Sequence, residues 1–388
     1  MKLSLRDLDI KGKRVLMRVD FNVPLKDDGT INDDTRIRMA LPSIRYVLDQ
    51  GASLILMSHL GRPKGVSNPA LSLRPCADRL QNFLGRKVAL ITSYERAKGI
   101  KIGEVYLLEN LRFYKGEEHP GEDPDFAKSL ANLGDVYVND AFGTAHRKHA
   151  STAVITNFFP NKSVMGFLVE KELSFLAPLV TSPKHPFYAI IGGAKIGSKI
   201  GVLESLVSKI DAIFIGGGMA FTLFKIKNID IGDSLFDDKM MDKGRDFLQK
   251  CRKKGVVVHL PQDIMITNDK ENRLILATQG IPSGWRGVDI GPETLKEWEK
   301  FLNKAATIFW NGPMGVFEVA SFADGTNQLA KKLSTMPADV IVGGGDSVAA
   351  IQSLQLEKNF AHISTGGGAS LEYIEYGQLP GIELLTNK

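Results

Sequence analysis

Cysteine is nearly absent from this chain. Its 388 residues contain two, Cys76 and Cys251, far apart and outside any Cys-x-x-Cys pair. That excludes a disulfide framework and a cysteine-based zinc site, and it fits a reducing cytoplasm, the localisation expected here. No apolar run approaches the roughly 18 residues of a membrane helix. The opening residues, MKLSLRDLDI, carry charges where a secretory signal has its apolar segment. Low-complexity tracts and short-period repeats are missing. So are several chemical signatures. There is no G-x-x-x-x-G-K followed by Ser or Thr, which excludes a P-loop enzyme. No G-x-G-x-x-G follows a strand-like run, which speaks against a dinucleotide dehydrogenase. The protein-kinase H-R-D and D-F-G triplets and the zinc-binding H-E-x-x-H are absent as well.

What is present is ordinary globular material: 43% hydrophobic and 24% charged residues, enough for two cores in a chain of two-domain length. The net charge of +5 is unevenly spread. Residues 1–167 hold 13 of the 17 arginines and a net charge of +6, whereas the remainder has a net of −1 and 25 of the 38 glycines. Guanidinium groups suit a bidentate grip on carboxylate or phosphate oxygens. Glycine lets the backbone approach a ligand closely. The +6 half alone would also suit a nucleic-acid binder, but no basic motif interleaved with aromatics accompanies it.

Short β-branched runs alternate with segments of helical period. The runs fall at 14–19, 53–58, 88–91, 105–108 and 135–138 in the first half. In the second they fall at 187–191, 211–215, 256–259, 307–310, 340–342 and 362–364. Leu41, Ile44, Val47 and Leu48 make one helical stripe, stopped near Gly51. Leu73, Cys76, Leu80, Phe83 and Leu84 make another, stopped by Gly85. Apolar strands alternating with helices predict parallel sheets covered on both faces. The fold class expected is therefore α/β, with two doubly wound, Rossmann-like domains joined by a helix. The first domain is expected over 1–165, the joining hinge helix over 166–182 and the second domain over 183–369.

Ligands of such sheets bind beyond the carboxyl ends of the strands. In the first half those ends deliver Asp20, Asn22, His59, Arg62, Arg112, His146 and Arg147, with Arg36 in the loop just before a helix. In the second half five strands end in glycine or Asn-Gly. Each residue taken singly also has a plain structural role; Asp346, for example, would serve as the N-cap of a helix starting at Ser347. Lys195 and Lys199, four apart, are expected on one helix face near its amino end, where cations are unfavourable unless an anion is bound. Together these features predict an anion site facing a nucleotide site.

The segments at these ends resemble one family. RVDFNVP (18–24), SHLGRP (58–63), ENLRF (109–113) and DAFGTAHR (140–147) are similar to motifs of phosphoglycerate kinases. So are GGAKIGSK (192–199), NGPMGVFE (311–318), GGGDS (343–347) and STGGGAS (364–370), all in the family's order and spanning nearly the whole chain. Met314 and Lys148 vary within otherwise matching motifs. The resemblance implies reversible phosphoryl transfer from 1,3-bisphosphoglycerate to ADP, giving 3-phosphoglycerate and ATP with Mg²⁺, by in-line transfer in a closed interdomain cleft. It implies a cytoplasmic monomer acting on small molecules, with neither nucleic acid nor membrane as partner. Phosphoglycerate would be held by Asp20, Phe21, Asn22, Arg36 and His59, then by Leu60, Gly61, Arg62, Arg112 and Arg147. The nucleotide would be held by Gly193, Ala194, Lys195 and Lys199, by the Gly216, Gly217 and Gly218 turn, and by Gly287. Asn311, Gly312, Pro313 and Glu318 would join it, with Glu318 at the ribose. Gly343, Gly344, Gly345, Asp346 and Ser347 would complete the set, Asp346 approaching the metal. The family also returns its tail, here 370–388, to the first domain, although this tail is short.

Both nucleophiles of that reaction, a diphosphate and a carboxylate, are already anions, so no general base is needed. Alignment and cancellation of charge on the moving group are what the protein must supply. Arg36 and Lys195 are the expected catalytic residues. A non-catalytic two-domain anion binder and a kinase for another acyl phosphate are the competing expectations.

Overall fold

The computed structural model describes all 388 residues, and the chain divides into two compact units, Met1–Ser174 with Gln378–Lys388 and Phe175–Gly377. The strands of the first unit are β1 (Arg14–Val19), β2 (Ser53–Met57), β3 (Val88–Ile91), β4 (Val105–Leu108), β5 (Val136–Asp140) and β6 (Ser163–Met165). They form one sheet in the order β3-β4-β2-β1-β5-β6, every pair parallel. Every residue of β2 and β5 is buried, as expected of a sheet covered on both faces. The covering helices are α1 (Thr35–Asp49), α2 (Arg74–Leu84), the single turn α3 (Lys115–Glu118), α4 (Pro124–Ala131) and the first part of α5 (Phe167–Thr181). The apolar stripe of α1, Ile37, Leu41, Ile44 and Val47, packs into the core with Val15, Val19, Leu54 and Leu56. Gly85 ends α2 in the left-handed conformation at φ 63°, its N–H donating to the carbonyl of Gln81, the usual glycine stop.

The second unit contains β7 (Phe187–Ile191), β8 (Ala212–Ile215), β9 (Val257–His259), β10 (Asp263–Thr267), β11 (Asn272–Leu276), β12 (Arg286–Ile290), β13 (Thr307–Asn311), β14 (Asp339–Gly343) and β15 (His362–Ile363). Six of these make a parallel sheet ordered β15-β14-β13-β7-β8-β9. The other three make a small antiparallel sheet, β11-β10-β12. The helices are α6 (Ile200–Leu206), α7 (Gly218–Ile226), α8 (Met241–Lys254), α9 (Pro292–Leu302), α10 (Asp324–Leu333), α11 (Gly345–Ser353) and α12 (Gly368–Tyr376). Trp298 of α9 and Trp310 of β13, both fully buried, anchor the core. No helix is long and apolar enough to cross a membrane.

The antiparallel sheet and β6 are additions to the sequence expectation, and the unit division corrects its domain limits. The division falls inside α5, at Ser174 and Phe175, rather than at either end of a separate helical segment. Residues 370–377 stay with the second unit: they complete α12, whose Ile374 carbonyl accepts from Ser205 Oγ of α6 at 2.9 Å. From Gln378 the chain belongs to the first unit. There α13 (Pro380–Glu383) is tied down by the Gly381 carbonyl accepting from Asn139 Nδ2 at 2.9 Å and by Gly381 N–H donating to Ala145 at 2.8 Å.

Candidate active site

In the first unit the site grows from the carboxyl ends of β1, β2 and β4. After β1 the chain turns at Asp20, which Arg36 meets in an ion pair. Arg36 is the second residue of α1 rather than a loop residue, so Asp20 also offsets the cost of a cation at a helix amino end. Phe21 N–H donates to Ser58 Oγ at 2.8 Å, and Gly61 N–H donates to Asn22 Oδ1 at 2.9 Å. These two bonds lock the loop after β1 to the loop after β2. The side chains of Phe21 and Leu60 are buried, and the Leu60 carbonyl accepts from Asn110 Nδ2 at 2.7 Å. Arg112, in the turn after β4, donates to the Gly61 carbonyl at 2.7 Å and pairs with Glu118 at 3.1 Å. Arg62 is exposed, and Arg147 half-buried.

Beneath this edge lies a buried polar network that the sequence reading missed. Arg18, the last residue but one of β1 and 0% exposed, donates to Ser151 Oγ at 2.8 Å, to the Val19 carbonyl, and to His59 Nδ1 at 3.2 Å. Ser151 Oγ in turn donates to the fully buried Glu117 at 2.6 Å. A guanidinium can only donate, so His59 Nδ1 must accept, and the neutral ring carries its proton on Nε2. Burial, then Arg18, Arg112 and Arg36, hold the His59 pKa well below the usual histidine value. His149 is pushed down to about 3 by burial and by Arg112 and Arg18. The arginines therefore supply the positive charge, and the histidines remain neutral. The signal for the network was a lone arginine inside the apolar run VLMRV, which can be buried only with partners.

In the second unit the site lies where the strand order reverses, between β7 and β13, the position expected for ligands of open α/β sheets. Gly192 N–H donates to the Asn311 carbonyl at 2.9 Å, and Gly193 N–H to Pro313 at 3.0 Å. The turn after β8 follows: Gly217, at φ 63°, donates to Met314 at 2.9 Å. A Cβ on Gly217 would lie 2.8 Å from Gly193 N and O, and one on Gly218 would lie 2.3 Å from the Ala194 carbonyl. These loops stack backbone on backbone, and only glycine allows it. Gly193, Ala194, Gly217, Gly218, Gly287 and Pro313 line the resulting pocket, with Glu318 and Asp346 also on its wall. Met314 and Val316, inside the NGPMGVFE motif but given no role there, line it too, as do Phe221, Leu235, Ile264, Val288 and Asp289, to which no motif pointed.

Lys199 points beneath this pocket. Its ammonium donates to the carbonyls of Gly192 at 2.7 Å and Asn311 at 3.3 Å. Burial pulls its pKa down to about 8, opposed by Asp346. Lys195 is exposed and extended, at φ −134° and ψ 132°. The two lysines thus do not share a helix face. Ser198 Oγ folds back on the Lys195 carbonyl at 2.8 Å and closes a 3₁₀ turn, Ile196–Ser198, so that α6 begins only at Ile200. Asp346 is likewise not an N-cap: α11 starts at Gly345, capped by Gly344 at φ 89°, which puts Asp346 in the first turn. Ser347 Oγ accepts from Gly312 N–H at 2.6 Å. Gly216 and Gly343 are buried at the ends of β8 and β14. Asn311 is 1% exposed, and neither Oδ1 nor Nδ2 of its side chain has a hydrogen-bond partner.

No group of three or more His, Cys, Asp or Glu side chains is placed to hold a metal ion. A Mg²⁺ ion needs none: it is commonly held by one or two carboxylates and substrate phosphates. The exposed Asp346, close enough to Lys199 to raise its pKa, fits that donor set.

Comparison with known proteins agrees with this geometry. The family model described as phosphoglycerate kinase matches residues 5–377. A phosphoglycerate kinase of Thermosipho africanus is 48% identical over 100% of this chain and 98% of its own length. The cytosolic phosphoglycerate kinase 3 of Arabidopsis thaliana is 47% identical over 98% of this chain and 96% of its own. The solved structure of phosphoglycerate kinase from Coxiella burnetii superposes with a TM-score of 0.91 at 37% identity, covering 99% of this chain and 98% of that one. With near-complete coverage in each case, the chain belongs to the phosphoglycerate kinase family.

Proposed function

We propose the following division of labour for the family's reaction, the reversible transfer of a phosphoryl group from 1,3-bisphosphoglycerate to ADP, which this chain catalyses. The first unit holds the phosphoglycerate. Arg36, Arg62, Arg112 and Arg147 take its phosphate and carboxylate oxygens, His59 donates from Nε2, and Asp20 and Asn22 orient the loop. The second unit holds the nucleotide, with the adenine in the glycine-walled pocket, the ribose at Glu318 and the phosphates at the amino end of α11 and at Lys199. Mg²⁺ would be held by Asp346 and would neutralise charge on the nucleotide phosphates. The chain works as a monomer in the cytoplasm.

Lys199 is the observation that carries this reading. An ammonium group largely out of water, with only carbonyl oxygens as hydrogen-bond partners, lacks a counter-charge in contact with it. A bound phosphate supplies one and raises the lysine pKa again. Arg36 and Lys195 then cancel charge on the moving PO₃ group. Both side chains are partly or fully exposed, and neither needs to move a proton.

Arg36→Ala and Lys195→Ala should each lower kcat by about a hundredfold, the scale for losing one transition-state donor. A coupled assay with 3-phosphoglycerate and MgATP measures this. Near-normal turnover in either variant removes that residue from the mechanism.

A further inference from the structure

One carboxylate in the nucleotide pocket has no part in the chemistry above. Asp289, on β12, is 5% exposed and lines the pocket wall. Its Oδ1 accepts from Ile290 N–H at 2.9 Å, and its Oδ2 accepts from Gly325 N–H in the first turn of α10 at 2.6 Å. Two glycines are fitted around it. A Cβ on Gly315 would lie 2.4 Å from Oδ1, and one on Gly325 would lie 2.5 Å from the same atom. Val316 N–H donates to the Val288 carbonyl at 2.8 Å, next to the carboxylate. The contacts then lead to the base pocket. Thr326, one residue beyond Gly325, accepts from Met314 N–H at 3.0 Å, and the Met314 carbonyl accepts from Gly217 N–H at 2.9 Å. Asp289 therefore fastens the start of α10, where Thr326 holds Met314 of the loop that carries Glu318, and Met314 in turn holds the glycine turn after β8.

We propose that Asp289 is a positioning residue for the nucleotide: its ionised carboxylate holds the loop after β13 and the start of α10 in the shape that grips adenosine, and its protonation loosens that grip. The inference rests on the nucleotide reading of this pocket. Each oxygen already accepts an N–H bond, so a proton on the remaining lone pair of either would remove the charge and weaken the bond which that oxygen accepts. Of the charged groups near it, Asp324 of α10 acts on it directly, and Glu318 of the loop and Asp346 of α11 share the pocket wall. Burial chiefly, with Asp324, raises the Asp289 pKa to about 7 against the two N–H bonds that lower it. The charged form therefore prevails only above neutrality.

Adenosine is the probe, because it carries no phosphate that titrates in the same range. Its Kd on the parent protein should rise about fivefold between about pH 8 and about pH 6, the scale of one weakened hydrogen bond to a charged acceptor. Asp289→Asn, which also presents a donor to one of the two N–H groups, should bind adenosine at about pH 8 as weakly as the parent does at about pH 6. The variant's profile should be flat, and its affinity for 3-phosphoglycerate unchanged. A flat parent profile overturns the proposal, as does a variant that tracks the parent. Should Asp289→Asn fail to fold, the parent profile still decides. Thr326→Val, which removes the acceptor for Met314 N–H, adds a second check, since unchanged adenosine affinity in it also overturns the proposal. Binding of 3-phosphoglycerate without binding of adenosine at any pH removes the nucleotide reading, and this inference with it.

Discussion

Asp140 sits at the end of β5 with none of its surface exposed, and its Oδ1 accepts the N–H groups of Leu168 at 2.8 Å and Val169 at 3.4 Å in the first turn of α5. A helix amino end and two N–H donors favour the charged carboxylate. Burial outweighs them and pushes the pKa up to about 6. The sign of the consequence follows. A folded-state value above the unfolded one means that the folded protein takes up a proton more readily. The group's contribution is therefore fully present below its unfolded pKa and is lost as pH rises through about 6. Asp140→Asn keeps an oxygen for the two N–H groups and has no charge to bury. Its stability relative to the parent should improve by on the order of 2 kcal/mol as pH rises from about 4 to about 7. Urea unfolding at several pH values measures this, and a pH-independent difference contradicts it. The same weighing explains the first unit's anion site. There burial keeps His59 and His149 neutral, and the guanidinium groups, which cannot be neutralised in this way, carry the charge.

At the scale of single elements, most parallel strands were legible because they are short apolar runs, and those inside the two sheets, such as β2, β5, β7, β8 and β13, are buried throughout. Strands β1, β3, β4 and β7 have the limits their sequence gives them. The antiparallel β11 was not legible. Its NRLIL is mostly exposed, and an edge strand that buries neither face leaves no periodic mark. The helix expected to carry both Lys195 and Lys199 failed for a local reason, the hydroxyl of Ser198 capturing the Lys195 carbonyl. The glycine turns were legible as recurrent strand endings, but which glycine carries the constraint is a matter of geometry. Gly217 has φ 63° and no room for a methyl group beside Gly193, whereas Gly345 has nothing within 4 Å of its Cβ position. Gly217→Ala should therefore weaken MgADP binding at least about tenfold through strain of about 1–3 kcal/mol at the turn. Gly345→Ala should have a far smaller effect. Calorimetric titration of both variants decides, and equal losses would contradict the steric account. Asp289 escaped the sequence reading because nothing in WRGVDIGP distinguishes a carboxylate that fastens a loop from one that faces water.

For the whole molecule, the feature to explain is a chain that leaves the first unit along α5 and returns to it after α12. The returning segment is short but well buried: Leu379, Ile382 and Leu385 are each 3% exposed or less. Thr386 N–H donates to Ser163 at 2.9 Å beside β6, and Leu3 N–H donates to Thr386 at 2.8 Å. A chain ending at Gly377 loses those three side chains, and the first unit should lose about 5–9 kcal/mol. The second unit, Phe175–Gly377, should keep its own transition. Denaturant unfolding followed separately in each unit tests this, with Trp298 and Trp310 reporting the second. Equal destabilisation of both units would be the contrary result. Little of this was legible in the tail itself, whose apolar residues are few and lack a helical period long enough to register.

That return imposes an order on biosynthesis. The portion translated first is left with an open seam beside Ser163 and Asn139 until Gln378–Lys388 emerge from the ribosome. The portion translated later already has all its own strands by then. The second unit, contiguous from Phe175 to Gly377, can thus close before the first, whose sheet waits for a segment translated after it.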